Sequence, residues 1–189
     1  DFEPFDPKLG RPYTECTRWR ETVFSRMAQL RPELVVVSQA STYDPFVARG
    51  AEAIAQWQDA LVRSLDRLAT VAGHVTMIRD TPLPGFHVPR CLAREAALRR
   101  FDPAACHFVR ETAAASAAFE VERAAAAGRA GVSLLDLSEA ICPAPICAVE
   151  RDGIVLFHDA QHLSASFARS LAGVLWTQLP ATVQARLDD

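Results

Sequence analysis

An aspartate and a histidine near the end of the chain have the types and the spacing of a general base and its partner. Asp159 and His162 lie in the segment 157–165, which reads FHDAQHLSA. An imidazole can take a proton from a hydroxyl, and a carboxylate beside it can hold its tautomer and stabilise the imidazolium. The pair therefore predicts His162 as a general base and Asp159 as the carboxylate that orients it, which is two-thirds of a hydrolase or acyltransferase triad.

The same residues allow other assignments. Asp159 is close enough to a predicted helix to act as its N-cap, with His162 as a surface residue, although Ser164 is better placed as the cap. Asp136, at the end of a predicted strand, is a second candidate for orienting His162. His158 is expected to be exposed, because side chains alternate along the strand that leads to it.

The third member of a triad, the nucleophile, is not evident in the sequence. The chain contains neither a G-x-S-x-G elbow nor a Gly-Asp-Ser turn. Ser38 and Ser41, which follow a predicted strand, are candidate nucleophiles if the chain is complete. Together with Gln39 they are also candidates for lining the site.

The elements that must position these residues follow from the pattern of apolar side chains. The predicted strands are 34–37, 75–78 and 132–136, the first two buried on both faces. The predicted helices are 17–31, 50–72, 108–127 and 163–178. An Asp-Gly turn signal predicts a hairpin around residues 151–153. Alternating strands and helices predict an α/β fold, in which a site lies at the carboxyl ends of parallel strands.

Composition limits the function further. The 189 residues fit one globular domain, with 50% hydrophobic residues and a net charge of −3. Without a basic surplus, nucleic-acid binding is not expected. No apolar run approaches the roughly 20 residues that span a bilayer, and no signal peptide is visible. Because the chain also lacks an initiator methionine, we expect a fragment or a processed protein.

The five cysteines favour an oxidising compartment. Cys142 and Cys147 flank a short Pro-rich loop, and Cys91 and Cys106 bracket a small insertion, so each pair is predicted to form a disulfide. Cys16 remains as a free thiol or as the partner of a cysteine outside this sequence. Five buried, reduced cysteines in a cytosolic protein are the alternative. Neither C-x-x-C nor Cys-His zinc spacing occurs, so no metal site is predicted.

Three blocks of sequence carry a family resemblance. They are Asp159-x-x-His162-Leu163-Ser164, the approach to it through Cys142-Pro143, Cys147-Ala148-Val149, Asp152-Gly153 and Leu156-Phe157, and the Pro-rich loop into Val88-Pro89-Arg90-Cys91-Leu92-Ala93 with Cys106 beyond. Together with the strand segment 31–37, these blocks resemble the SGNH (GDSL-like) hydrolase superfamily. More narrowly, they resemble the SGNH domain fused to membrane acyltransferase-3 proteins, over most of residues 16–178.

The resemblance implies a three-layer α/β/α sandwich with a parallel sheet, the flavodoxin-like SGNH fold, in a single domain over residues 1–189. It implies an O-acyltransferase, acting with acetyl on hydroxyls of a bacterial cell-surface glycan through a Ser-His-Asp mechanism, with His162 and Asp159 catalytic and no cofactor. The fused acyltransferase-3 domain, as partner, would supply the acyl group derived from acyl-CoA. The domain would then lie on the extracytoplasmic side, tethered to the membrane.

The chain departs from the family pattern in two places. The family's nucleophilic serine lies in a Gly-Asp-Ser motif after the first strand, so that strand, its helix and a second strand are expected upstream of residue 1. The block that usually carries Asn is here Ser38-Gln39-Ala40-Ser41. Two alternatives stay open: a carbohydrate O-acetyl esterase on the same fold, and a non-catalytic module that binds a glycan or a partner protein.

Overall fold

The computed structural model of the chain describes residues 5–6, 8–40, 51–98, 101–110 and 113–188. The strands are β1 (Phe5–Asp6), β2 (Arg11–Pro12), β3 (Val35–Ser38), β4 (Val75–Ile78), β5 (Phe108–Val109), β6 (Val132–Leu135), β7 (Ile146–Cys147), β8 (Glu150–Arg151) and β9 (Ile154–Val155). The helices are α1 (Thr14–Leu30), α2 (Ala51–Ala69), α3 (Val88–Ala97), α4 (Ala113–Ala126), α5 (Ser138–Ile141), α6 (Ala165–Ser170), α7 (Ala172–Gln178) and α8 (Ala181–Leu187). A 3₁₀ turn spans Pro103–Cys106.

Three strands form a parallel sheet in the order β3-β4-β6. The register aligns Val35 with Val75 and Val75 with Val132. Parallel neighbours need a crossover between them, and α2 and α4 lie in the two crossovers. The predicted α/β fold with a parallel sheet is therefore confirmed, and each predicted strand lies within one residue of its expected place.

One face of the sheet packs against α1, α2 and α4 and forms the first of two cores. This sheet core consists of the buried side chains Leu61, Leu65, Leu68, Val75, Met77 and Ala125. Half-buried side chains surround them, among them Phe24, Met27, Val35, Val37, Val132 and Leu134. The strand residues in both sets alternate along the chain, as expected for side chains on one face of a sheet.

The opposite face of β3 is open among the described residues. Val36 lies on this face, in register with Thr76 of β4 and Ser133 of β6. Val36 is 51% exposed, whereas Thr76 is fully buried. The prediction that this strand is buried on both faces is therefore wrong, although it holds for β4. Among the described residues β4 has a strand on each side, whereas β3 has a neighbour on one side alone, which leaves its side chains more exposed.

A second core, the disulfide core, lies outside the sheet. Its buried members are Val88, Leu92, Cys106, Phe108, Leu137, Ile141, Cys142, Cys147, Val149, Leu156, Phe157, Phe167 and Leu171. The predicted disulfides Cys91–Cys106 and Cys142–Cys147 are both present, so the alternative of five reduced cysteines is wrong. In the β5–β7 pair Phe108 lies opposite Cys147, which connects the two disulfides into one unit.

The helix predicted at 163–178 is two helices that meet at Leu171. The cause is local, because the Ser170 hydroxyl donates to the carbonyl of Phe167 at 2.7 Å. That carbonyl is the acceptor that the N–H of Leu171 needs to continue the helix. Leu171 donates to the carbonyl of Ala168 at 3.2 Å instead, which interrupts the α-helical pattern.

Other predicted elements differ less. The predicted hairpin is confirmed as β8–β9, and Asp152 and Gly153 both have positive φ, as a type I′ turn requires. The helix predicted at 108–127 begins later, because its first residues form β5 instead. Cys16, on α1, has no disulfide partner within the described ranges. In those same ranges no helix is long and apolar enough to cross a membrane.

Candidate active site

The segment after β9 is a loop closed at both of its ends. The N–H of His158 donates to the carbonyl of His162 at 2.8 Å, and the N–H of Ser164 donates to that of Leu156 at 2.8 Å. Phe157 forms a bridge with Leu163, and its side chain is fully buried in the disulfide core. His158 is exposed, as predicted. Burial of the Phe157 side chain thus anchors the loop to the disulfide core, while the polar residues of the loop stay near solvent.

Asp159 organises this loop with both of its carboxylate oxygens. Oδ1 accepts the backbone N–H groups of Gln161 and His162, each at 2.8 Å, and Oδ2 lies 2.7 Å from Nδ1 of His162. The two backbone N–H groups and the imidazole hold the pKa of Asp159 well below its usual range. Asp159 is therefore an ionised acceptor at neutral pH, held in place by the turn that it makes with its own backbone.

This geometry decides which nitrogen of His162 carries the proton. An ionised carboxylate can only accept hydrogen bonds, so Nδ1 of His162 must donate to Asp159. In the neutral ring Nε2 is then the basic nitrogen, and no hydrogen bond to it comes from the described part of the chain. The side chain of His162 is 73% exposed, against 32% for Asp159. The arrangement can act as a general base that faces an open space.

The loop rests on the segment that follows β4 and on the disulfide core. The N–H of Val88 donates to the carbonyl of Asp159, and that of Gly85 to the carbonyl of Ala160, each at 3.3 Å. On the other side, the rings of Phe157 and Phe108 pack in a T-shaped arrangement with their centroids 5.4 Å apart. The backbone at Asp159 is thus tied to the start of α3, one turn before Cys91 and its disulfide.

Ser164 joins the loop to α6. Its hydroxyl accepts the N–H of Phe167 at 3.3 Å and donates to the carbonyl of Val155 at 2.6 Å. The prediction that Ser164, rather than Asp159, caps the helix is therefore confirmed. The side chain fixes the direction in which the chain leaves the loop.

The remaining candidates lie apart from this pair or outside the described residues. Ser38 is exposed at the end of β3, and Gln39 follows it, with Nε2 donating to Oε1 of Glu122 at 2.9 Å. Ser41 lies outside the described residues. No hydrogen bond joins Ser38 or Gln39 to His162 in the ranges described. The structure therefore brings together Asp159 and His162 but shows no contact between this pair and the β3 candidates.

Asp136 has a different role from the one considered for it. Its Oδ2 pairs with Nη1 of Arg79 at 2.8 Å, and its Oδ1 accepts the N–H of Ser138 at 2.8 Å. Burial acts to raise the pKa of Asp136, but the hydrogen bonds from Ser138 and Arg79 outweigh it, and the pKa lies below its usual value. Because His162 bonds Asp159 instead, the alternative that Asp136 orients His162 is not supported.

Sequence reasoning missed two charged residues near the carboxyl ends of the strands. Glu122 on α4 is only 3% exposed, and burial raises its pKa. The guanidinium of Arg79 stacks on the ring of Phe119, 3.9 Å from its centroid. A signal for Glu122 existed, because it shares a helix face with Ala118 and Ala125, two small apolar residues that are buried. A carboxylate at such a position has to have a partner.

The described residues contain no group of three or more His, Cys, Asp or Glu side chains that could hold a metal ion. In the same ranges no serine or threonine hydroxyl is hydrogen-bonded to Nε2 of His162.

Comparison with known proteins gives two matches. The sequence profile of the SGNH domain (fused to AT3 domains) matches residues 2–177. No curated protein matches the chain. Among solved structures, the periplasmic domain of the Salmonella ser. Paratyphi A lipopolysaccharide acetyltransferase has a similar fold, with a TM-score of 0.58 at 12% identity. The match covers 82% of this chain and 61% of that one, so the chain spans less than two-thirds of the solved domain.

Proposed function

The chain belongs to the family of SGNH domains fused to AT3 domains, and on that premise we propose that it is an extracytoplasmic O-acyltransferase acting on hydroxyls of a bacterial cell-surface glycan. The observation that carries the proposal is the 2.7 Å contact between Asp159 and Nδ1 of His162, which leaves Nε2 available as a base. The lipopolysaccharide acetyltransferase among the structural relatives supports a glycan acceptor and an acetyl group.

In this mechanism, Nε2 of His162 takes the proton of a serine hydroxyl while the serine oxygen attacks the acyl carbonyl. The imidazolium then protonates the leaving group, and an acyl-serine ester remains. In the second half, Nε2 deprotonates the acceptor hydroxyl, whose oxygen attacks the ester, and the proton returns to the serine. Asp159 stabilises the imidazolium in both halves. No metal or organic cofactor takes part in these steps.

The serine is proposed to lie upstream of residue 1, in a motif that follows a strand, and that strand would complete a single domain with residues 1–189. Two features of the described residues support this. Val36 is 51% exposed on the open face of β3, and Trp19 on the neighbouring helix α1 is 65% exposed. Strands of parallel sheets are normally covered on both faces. A further parallel strand beside β3 would end at the same edge of the sheet as the polar ends of β3, β4 and β6.

The disulfides support an extracytoplasmic location. Such bonds persist in oxidising compartments and are rare in the cytosol. Both of the present ones brace the core on which Asp159 and His162 rest. The proposed arrangement is a domain on the outer side of the membrane, tethered through a fused AT3 domain, which passes it an acyl group derived from acyl-CoA.

Two other functions have observations in their favour. The 73% exposure of the His162 side chain gives water access to Nε2, which favours a carbohydrate O-acetyl esterase. The lack of a serine bonded to Nε2 within the described ranges favours a non-catalytic module that binds a glycan or a partner protein. An enzyme is preferred to a binding module because binding alone does not require a base held in one tautomer. The transferase is preferred to the esterase because the solved structure of similar fold is a lipopolysaccharide acetyltransferase domain.

Labelling with a fluorophosphonate tests the proposal. The domain is expressed with its natural upstream segment, labelled and mapped by peptide analysis, beside His162→Ala and the matched control His158→Ala. We expect label on an upstream serine, lost in His162→Ala and kept in His158→Ala. Label on Ser38 or Ser41 would instead mean a rearranged site. A folded, disulfide-bonded protein that takes up no label would be a binding module.

A further inference from the structure

Side chains on one face of α4 contact the residues that follow β3 and β4, and one of these residues pairs in turn with the residue that follows β6. Glu122 binds Gln39, which follows β3, and Phe119, three residues earlier on the same face, carries the stacked guanidinium of Arg79, which follows β4. Arg79 also pairs with Asp136, which follows β6. Carboxyl ends of parallel strands are where such sheets carry their sites. The cluster is therefore in the right place to act on a substrate.

Glu122 is an expensive residue at this position. Its side chain is 3% exposed, and Ala118 and Val121 beside it on α4 are buried. Burial raises the pKa of the Glu122 carboxyl, and the hydrogen bond from Gln39 offsets only part of that rise. An apolar side chain of similar size would fill the space without this cost. Packing of the sheet therefore does not require a carboxyl group at position 122. The hydrogen bond to Gln39 is what this carboxyl group provides.

The contact sets the orientation of the Gln39 amide. In the structure Nε2 of Gln39 donates to Oε1 of Glu122, which places the amide nitrogen on the side of α4. Gln39 is half-buried, and this contact uses one N–H of its amide, so the second N–H and the acceptor Oε1 remain for a ligand. A hydroxyl group both donates and accepts hydrogen bonds, so an alcohol is the complementary ligand for these two groups.

We propose that Gln39 binds the hydroxyl-bearing sugar that accepts the acyl group, and that Glu122 is the positioning residue that fixes the Gln39 amide for this task. The proposal rests on the proposed transferase function and specifies the acceptor end of that site. In the deacylation step the bound hydroxyl loses its proton to Nε2 of His162. Its oxygen forms the new ester, and the serine leaves with that proton. Water competes for the same acyl-enzyme and yields free acetate.

The acyl-enzyme can react with the sugar acceptor or with water, and the ratio of the two products reports on the contact between Gln39 and the acceptor separately from the earlier acylation step. The protein, with its natural upstream segment, is supplied with p-nitrophenyl acetate as donor and methyl α-D-glucopyranoside as probe acceptor. The measured quantity is acetylated glucoside formed per acetate released. Acylation affects both products equally and cancels, so the ratio responds to acceptor binding and not to a general loss of folding or activity.

Gln39→Leu and Glu122→Leu are each expected to lower this ratio about three- to tenfold, the value of one net hydrogen bond. The double variant should lose no more than either single one, because both changes remove one contact. Glu122→Gln keeps an acceptor oxygen and should retain most of the ratio. Glu120→Gln, on the exposed side of α4, is the matched control and should leave it unchanged.

Three results would overturn the inference. The ratio could be unchanged in Gln39→Leu, or the losses of the two single variants could multiply in the double variant. The parent protein could also release acetate without acetylating the glucoside. If Glu122→Leu does not fold, the half-exposed Gln39→Leu still decides the result. A parent protein that releases no p-nitrophenol refutes the proposed function itself, which separates that failure from a failure of the acceptor contact.

Discussion

Removal of the Cys91–Cys106 disulfide is predicted to destabilise the protein more than removal of Cys142–Cys147. The first bond closes a loop with a sequence separation of 15 and the second one of 5. In the chain-entropy description, loops of these lengths correspond to about 3 and about 2 kcal/mol of stabilisation at 25 °C. Cys106, Cys142 and Cys147 are buried in the disulfide core and Cys91 is half-buried at its edge, so loop length is the larger difference between the two bonds.

The assay is urea unfolding at equilibrium, on Cys91→Ala/Cys106→Ala and Cys142→Ala/Cys147→Ala prepared without reductant. Replacement by alanine avoids a buried hydroxyl and removes two sulfurs in each case, so the difference of about 1 kcal/mol reports on the loops. Cys16→Ser, at the unpaired cysteine, controls for loss of a thiol without loss of a cross-link and should cost under about 1 kcal/mol. Equal losses in the two double variants, or a larger loss for Cys142–Cys147, would refute the reasoning.

Three further predictions concern single side chains. Asp159→Asn keeps an acceptor for the backbone N–H groups but removes the carboxylate that sets the tautomer of His162, so the rate of fluorophosphonate labelling should fall about 10⁴-fold with the fold intact by circular dichroism. Ser164→Ala loses the hydrogen bond that caps α6 at Phe167 and the one to the carbonyl of Val155 on β9. It should cost about 1–2 kcal/mol in urea unfolding, whereas the exposed Ser166→Ala in the same helix should stay within about 0.5 kcal/mol. Burial raises the pKa of Glu122, so this carboxyl binds its proton more tightly in the folded than in the unfolded state. The wild type should therefore lose stability as pH rises from about 4 through the raised pKa. In thermal melts, the melting temperature of Glu122→Gln should exceed that of the wild type by an amount that grows with pH and vanishes in acid. A constant difference across pH would contradict the burial of this carboxyl among Gln39, Arg79 and Asp80.

The parts of the fold that sequence predicts well depend on local patterns. The segments 75–78 and 132–135 are strands because they are too short for buried helices, and 75–78 is also mainly β-branched. The disulfides were predictable because each pair brackets a short segment, although Cys91 lies on α3 and Cys147 on β7 rather than in loops. Asp159 and His162 come together through a turn of four residues, so their contact is encoded almost entirely in the D-x-x-H spacing.

The features that sequence does not predict depend on which elements become neighbours. Val36 belongs to a run that looks like a fully buried strand, and only the sheet order leaves one of its faces open. The Arg79–Asp136 pair requires β4 and β6 to be adjacent and in register. Glu122 shares a helix face with buried alanines, but its partner Gln39 is 83 positions away in the chain, so the contact cannot be predicted from local sequence. The break at Leu171 arises from a single side-chain hydrogen bond that no periodicity reveals.

The central claim is that Asp159 holds His162 as a base with its proton on Nδ1. Nitrogen-15 NMR of the histidine side chains, with His162 assigned by comparison with His162→Ala, measures this directly in the neutral ring. We expect a protonated Nδ1 and an unprotonated Nε2 in the wild type, and loss of that preference in Asp159→Asn. A wild-type His162 with its proton on Nε2, or one insensitive to Asp159→Asn, would contradict the claim.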